Sequence, residues 1–133
     1  MNTGIQDSAV PFQKCGSCGQ SWIEWRDFVM DPGTRLLGFQ AVVSLPDANL
    51  LVFEHKCGST ISILVKRLRP FFPETPAEKL LPLLFGTDGC SQRCSELQNL
   101  EACDRECSNA RDRRIIQHLM KIKAGIAATE NNP

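Results

Sequence analysis

The chain has 133 residues, with 15 basic and 15 acidic side chains. That length excludes two independent large cores and leaves one compact domain or two small units leaning on each other. The balanced charge excludes a bulk field that would draw in nucleic acid or an anionic membrane, so any such binding must be local.

Residues 1–13 carry Gly4, Pro11 and no apolar period, and read as a flexible lead-in. The opening stretch MNTGIQDSAVPFQK lacks the charged start and apolar run of a secretory signal. No segment reaches the ~20 apolar residues of a membrane span. The expectation is a cytoplasmic protein with no membrane attachment. In a reducing compartment, seven clustered cysteines point to metal rather than to disulfides.

KCGSCGQSW is a tight, glycine-punctuated turn. In SWIEWRDFVMDPG, Trp22, Trp25, Phe28 and Val29 recur at helical spacing, which predicts a short helix capped by Ser21 and ended by Pro32 and Gly33. RLLGFQAVVSL and NLLVFEHKC, separated by PDAN, predict an antiparallel hairpin, with STISILVKRL as a third strand. From Arg69 onward, prolines 70, 73, 76 and 82 mark a connection. Within it TPAEKLL has the cap, proline and glutamate of a helix start. The tail ECSNARDRRIIQHLMKIKAGIAA is the longest helical pattern, with Ile115, Leu119, Ile122 and Ile126 on one face and Arg111, Arg114, Lys121 and Lys123 off it.

Cys15 and Cys18 form a C-x2-C followed by glycine, which points two thiolates at one ion and lets backbone amides bond the sulfurs. Closing a tetrahedron needs two more donors. His55 and Cys57 supply them, on the argument that residues two apart on a strand face the same side. His55 taken alone reads as a polar, half-exposed strand-end residue; the ligand count is what singles it out. A thiol-redox pair is the rival for Cys15 and Cys18, weakened by the lack of a preceding βαβ context.

These residues resemble a zinc ribbon, in which two knuckles on a small antiparallel sheet grip one zinc. Cys15, Cys18 and Cys57 with its glycine carry the resemblance; His55 and the helix after the first knuckle depart from it. DFVMDP, LLGFQ, LVFEHKCGST and the cysteine-rich tail more loosely resemble a group of small bacterial cysteine-rich proteins, which implies no activity.

Cys90, Cys94, Cys103 and Cys107 read C-x3-C, eight residues, C-x3-C. On a helix each pair would share a face. Three readings stand: a four-thiolate zinc site, a twin C-x3-C hairpin with two disulfides, and an iron–sulfur cluster. With zinc at both sets, the ligands total seven cysteines and His55, enough for two ions.

No nucleophile elbow, phosphate loop or dinucleotide fingerprint is present, and His118 reads as a solvated helix-flank residue. Two closed zinc sites would leave no open position for water, which favours a non-enzymatic role. Five basic residues between Arg111 and Lys123 could face phosphates, but such a run also suits a helix C-terminus or a solvated face. Trp22 and Trp25, the aromatics that could stack on bases, are expected in the core.

The sequence therefore predicts an α+β protein: a lead-in (1–13), a zinc-ribbon-like unit with a small antiparallel sheet (14–69), a proline-rich connection (70–86) and a cysteine-rich helical segment (87–128) packed on or tethered to it. The expected role is a structural, interaction or regulatory zinc module with a protein partner. An iron–sulfur or thiol redox protein and a nucleic-acid binder are the alternatives.

Overall fold

The computed structural model describes residues 10–42, 45–73, 78, 81–84, 87–88, 90, 93–103, 105 and 107–131, without the side chains of 46, 93 and 126–131. Two short strands open it, β1 (Gln13–Lys14) and β2 (Ser21–Trp22), paired antiparallel with Gln13 opposite Trp22. The C-x2-C turn is the loop of this hairpin. Ser21 is thus a strand residue opposite Lys14, not a helix cap. The helix begins four residues later as α1 (Trp25–Met30), where the Asp27 carboxylate accepts the Glu24 N–H at 3.0 Å. The expected apolar set is buried all the same. Trp22 reaches the core from the strand, while Trp25, Phe28 and Val29 reach it from the helix.

Three strands form the main sheet, in the order β3 (Thr34–Gln40), β4 (Leu50–His55) and β5 (Thr60–Leu64), all antiparallel. Along β4, Leu51, Phe53 and His55 are buried and alternate with half-buried neighbours, the period of a strand with one face on a core. The third strand stops at Leu64, short of the expected Leu68, and Val65–Arg67 forms a 3-10 turn. A strand would send residues 65 and 68 to opposite faces. A 3-10 turn places i and i+3 on one face, so both Val65 and Leu68 are fully buried.

Phe28 is the hub of the core, meeting Trp22 and Phe53 edge-on at centroid distances of 4.9 and 4.8 Å. The long helix α2 (Ser108–Asn131) adds Ile115, Ile116 and Leu119 to the same apolar cluster. Burying three aliphatic side chains contributes roughly 1.5–3 kcal/mol each, so much of the stability of a small sheet comes from this helix. The α+β class expected from the sequence holds. The helix start expected over 75–81 lies largely outside the described residues, as does the lead-in up to residue 9. No described helix is long and apolar enough to cross a membrane.

Several charges between Arg111 and Lys123 are used internally. Arg113 is fully buried, and its guanidinium donates to the carbonyls of Asn99 and Glu101, both at 2.8 Å. Lys123 donates to the Thr34 carbonyl at 2.5 Å, and Arg114 pairs with Glu78. Asp112, also fully buried, accepts two of the three Arg69 nitrogens at 3.0 and 2.8 Å and the Asn49 amide at 3.1 Å.

The segment around Leu97 closes the outer edge of β3. The Phe39 N–H donates to the Leu97 carbonyl at 2.8 Å, beside a register shift between Leu36 and Gly38. A Cβ at position 38 would lie 2.6 Å from that carbonyl oxygen, so this close approach requires glycine. Covering an edge strand in this way satisfies its backbone and blocks intermolecular pairing.

Candidate metal centre

Two turns build the site. In the first, Cys15 N–H donates to the Gln20 carbonyl at 2.8 Å and Gly19 N–H to the Cys15 carbonyl at 2.9 Å. Gly19 sits at φ +83°, a left-handed conformation that glycine adopts without strain. In the second, His55 N–H donates to the Ser59 carbonyl and Gly58 N–H to the His55 carbonyl, at 2.9 and 2.8 Å, with Gly58 at φ +94°. A glycine thus follows the last cysteine of each turn.

The turns bring together all four residues expected from the sequence. Cys15, Cys18, His55 and Cys57 each offer a donor atom, and these atoms lie within 4.8 Å of one another. The Sγ atoms of Cys15 and Cys57 are 3.7 Å apart, and His55 Nδ1 lies 3.7 Å from Cys18 Sγ and 3.1 Å from Cys57 Sγ. With Zn–S bonds of ~2.3 Å, a tetrahedral zinc site has S···S edges of roughly 3.8 Å. The spacing therefore fits one tetrahedral ion, and three sulfurs with one imidazole nitrogen suit zinc. Cys15 and His55 are buried, Cys18 and Cys57 exposed.

One step of the sequence argument is corrected here. Strand alternation does not place Cys57 beside His55, because β4 ends at His55. The tight turn of residues 55–59 folds Cys57 back instead.

A second layer of contacts orients the donors. The Ser59 hydroxyl lies 3.3 Å from Cys15 Sγ and 3.1 Å from Cys57 Sγ. This hydroxyl is the main reason the Cys15 thiol is held down to about 5 and the Cys57 thiol is lowered as well. Cys18 moves the other way: the Gln20 N–H favours its thiolate, but lost hydration and the sulfurs of Cys15 and Cys57 outweigh that bond. For His55, burial disfavours the imidazolium, yet the sulfurs of Cys57 and Cys15 raise it overall. Two of the three thiols are thus biased toward the thiolate, the form that binds a cation.

Beyond the donors, Gln20 bridges His55 to Asp31. Its Oε1 lies 3.0 Å from His55 Nε2, and its Nε2 donates to Asp31 Oδ2 at 3.1 Å. Asp31 also accepts the Trp22 Nε1–H at 2.8 Å and the Gly33 N–H at 2.7 Å. Burial disfavours its carboxylate, but these donors outweigh that and lower it. Neither Gln20 nor Ser59 carried a sequence signal beyond adjacency to a cysteine turn.

The other expected residues lie elsewhere. His118 is exposed and stacks on Phe72 with centroids 5.4 Å apart. None of the seven cysteines is in a disulfide. Cys90, Cys94, Cys103 and Cys107 are not paired along helices: Cys94 is in a 3-10 turn, Cys103 in irregular chain, and Cys107 immediately precedes α2. Among the described residues, the first four donors are the one group drawn within 4.8 Å. Compared with protein-family models, curated proteins and solved structures, the chain has no match.

Proposed function

We propose that Cys15, Cys18, His55 and Cys57 hold one structural zinc ion, and that the chain is a non-enzymatic interaction or regulatory module built around it. The carrying observation is the 3.7 Å separation of the Cys15 and Cys57 sulfurs with His55 Nδ1 facing the same point. Four protein donors complete a tetrahedron and leave no position for a reacting water, the mark of a structural site. A three-stranded sheet gains much from such a staple, because small cores are marginal alone.

The interaction half of the reading is supported by an open groove of ≈740 Å³ where Leu97 and Met120 are exposed between Glu96 and Glu101. Nucleic-acid binding has less support, since Arg113 and Lys123 serve internal carbonyls and Arg114 pairs with Glu78.

A thiol-redox reading draws on the lowered Cys15 thiol beside an exposed Cys18. One experiment separates the two. The full chain, purified under reducing conditions, is analysed for zinc and its thiols are mapped by alkylation and mass spectrometry. The zinc reading expects Cys15, Cys18 and Cys57 to be protected until a chelator is added. Equal alkylation with and without zinc, or a Cys15–Cys18 disulfide formed in air from the zinc-loaded chain, would overturn it.

A further inference from the structure

The four remaining cysteines line one cavity without the help of helices, though their sulfurs are not drawn within 4.8 Å as the first four donors are. Cys90, Cys94, Cys103 and Cys107 all line a single small cavity of ≈10 Å³, with Arg105 and Asn109 also on its wall. A volume of ~10–15 Å³ is about one water-sized sphere. A single ion is of that size.

Several N–H donors point at its sulfurs. Leu84 N–H points at Cys107 Sγ at 3.2 Å and Asn109 N–H at 3.4 Å, while the Asn109 side-chain amide reaches Cys94 Sγ at 3.6 Å. A thiol sulfur is a weak acceptor, whereas a thiolate takes several N–H donors, as metal-bound cysteines do. Asn109 is itself buried and locked by the Asn49 amide at 2.8 Å, so its donor is fixed in direction. Cys107 also stands at the positive end of the 24-residue helix α2.

We propose that Cys90, Cys94, Cys103 and Cys107 form a second, four-thiolate zinc site that ties the cysteine-rich loop to the start of the C-terminal helix. Binding breaks four S–H bonds and forms four Zn–S bonds; the four protons go to solvent, and the centre carries a formal charge of −2. Arg105 on the cavity wall and the helix terminus offset that charge. The consequence reaches the sheet, because the loop between Cys94 and Cys103 carries the Leu97 carbonyl that closes β3 at Phe39 and the carbonyls of Asn99 and Glu101 that hold Arg113.

This site uses none of the donors of the first and stands or falls separately. The test is zinc content of the reduced full chain and of the C94S/C103S variant, with alkylation mapping of all seven cysteines in the wild type. The expected results are two zinc ions in the wild type, one in the variant, and slow alkylation of Cys90, Cys94, Cys103 and Cys107 that becomes fast on chelation. If the variant does not fold, the wild-type map decides. One zinc with these four thiols reacting at full speed would overturn the proposal, as would iron and visible colour. Protection of these four without protection of Cys15, Cys18 and Cys57 would support this site and remove the first.

Discussion

The side-chain amide of Gln20 fixes which nitrogen of His55 faces the sulfurs. Asp31 can only accept, so Gln20 must turn its NH2 toward Asp31 and its oxygen toward His55 Nε2, at 3.1 and 3.0 Å. Nε2 then carries the proton and Nδ1 presents its lone pair to the cluster. Trp22 shares in this arrangement, donating to the same Asp31 oxygen at 2.8 Å while its ring stands edge-on to His55 at 5.2 Å.

Gln20→Leu keeps the approximate volume and removes both hydrogen bonds, freeing the imidazole to rotate and change tautomer. Loss of such an outer partner typically costs about 10–100-fold in metal affinity. We expect a zinc affinity weaker by that factor in a competition titration against a chromophoric chelator. An unchanged affinity would show that packing against Trp22 alone orients His55.

His55→Ala removes one donor of four and leaves a gap behind Trp22; it should lower both zinc affinity at this site and the thermal midpoint. His55→Cys should restore zinc binding, with a Co2+-substituted spectrum of all-sulfur character. His118→Ala should change neither zinc content nor affinity, since that ring is exposed and touches Phe72 rather than the cluster. Equal effects of His55→Ala and His118→Ala on zinc content would refute the assignment of the fourth ligand.

The amine of Lys123 provides a pH signature far from the range in which zinc is displaced by acid. Burial lowers its titration below the ordinary 10.5, with Asp31 only partly opposing. Between that lowered value and 10.5 the unfolded chain holds more protons than the folded one. Stability from this group therefore rises with pH across the window. Lys123→Met should lack the rise, which is read as the difference between the urea midpoints of the two proteins from pH 8 to about 10.5. Parallel curves would mean that the amine is solvated.

Asp112→Ala removes the buried carboxylate that accepts two Arg69 nitrogens and the Asn49 amide, leaving Arg69 with Asp47 and Asn49 with Asn109. Breaking a buried ion pair from one side costs about 3–5 kcal/mol. Urea unfolding of the zinc-loaded chain should show a loss of that order, and a loss below ~1 kcal/mol would place the pair in solvent.

Much of the first site was legible because its signals are local. C-x2-C with glycine, and a histidine two residues before a cysteine with glycine, each encode a turn by themselves. The alternation of Leu51, Phe53 and His55 likewise encodes which face of β4 is buried. What the sequence withheld is set by distance along the chain. Asp31 and Gln20 act on His55 from 24 and 35 residues away, and nothing in their neighbourhoods announces it. Arg113 misled for a related reason. The basic run it belongs to reads as a solvated or phosphate-facing surface, but the carbonyls that hold Arg113 belong to a loop whose path no periodicity encodes.

The contact of Lys123 with Asp31 and Thr34 spans about ninety residues of sequence. Both cysteine turns and the whole sheet are complete by Leu64, so during synthesis the first four donors emerge together, well before α2. The Asp31 segment that steadies Gln20, and through it His55, is clamped only when the last helix arrives. The order of translation therefore separates assembly of the four donors from their consolidation, and a chain shortened before Lys123 keeps the four donors but not the clamp.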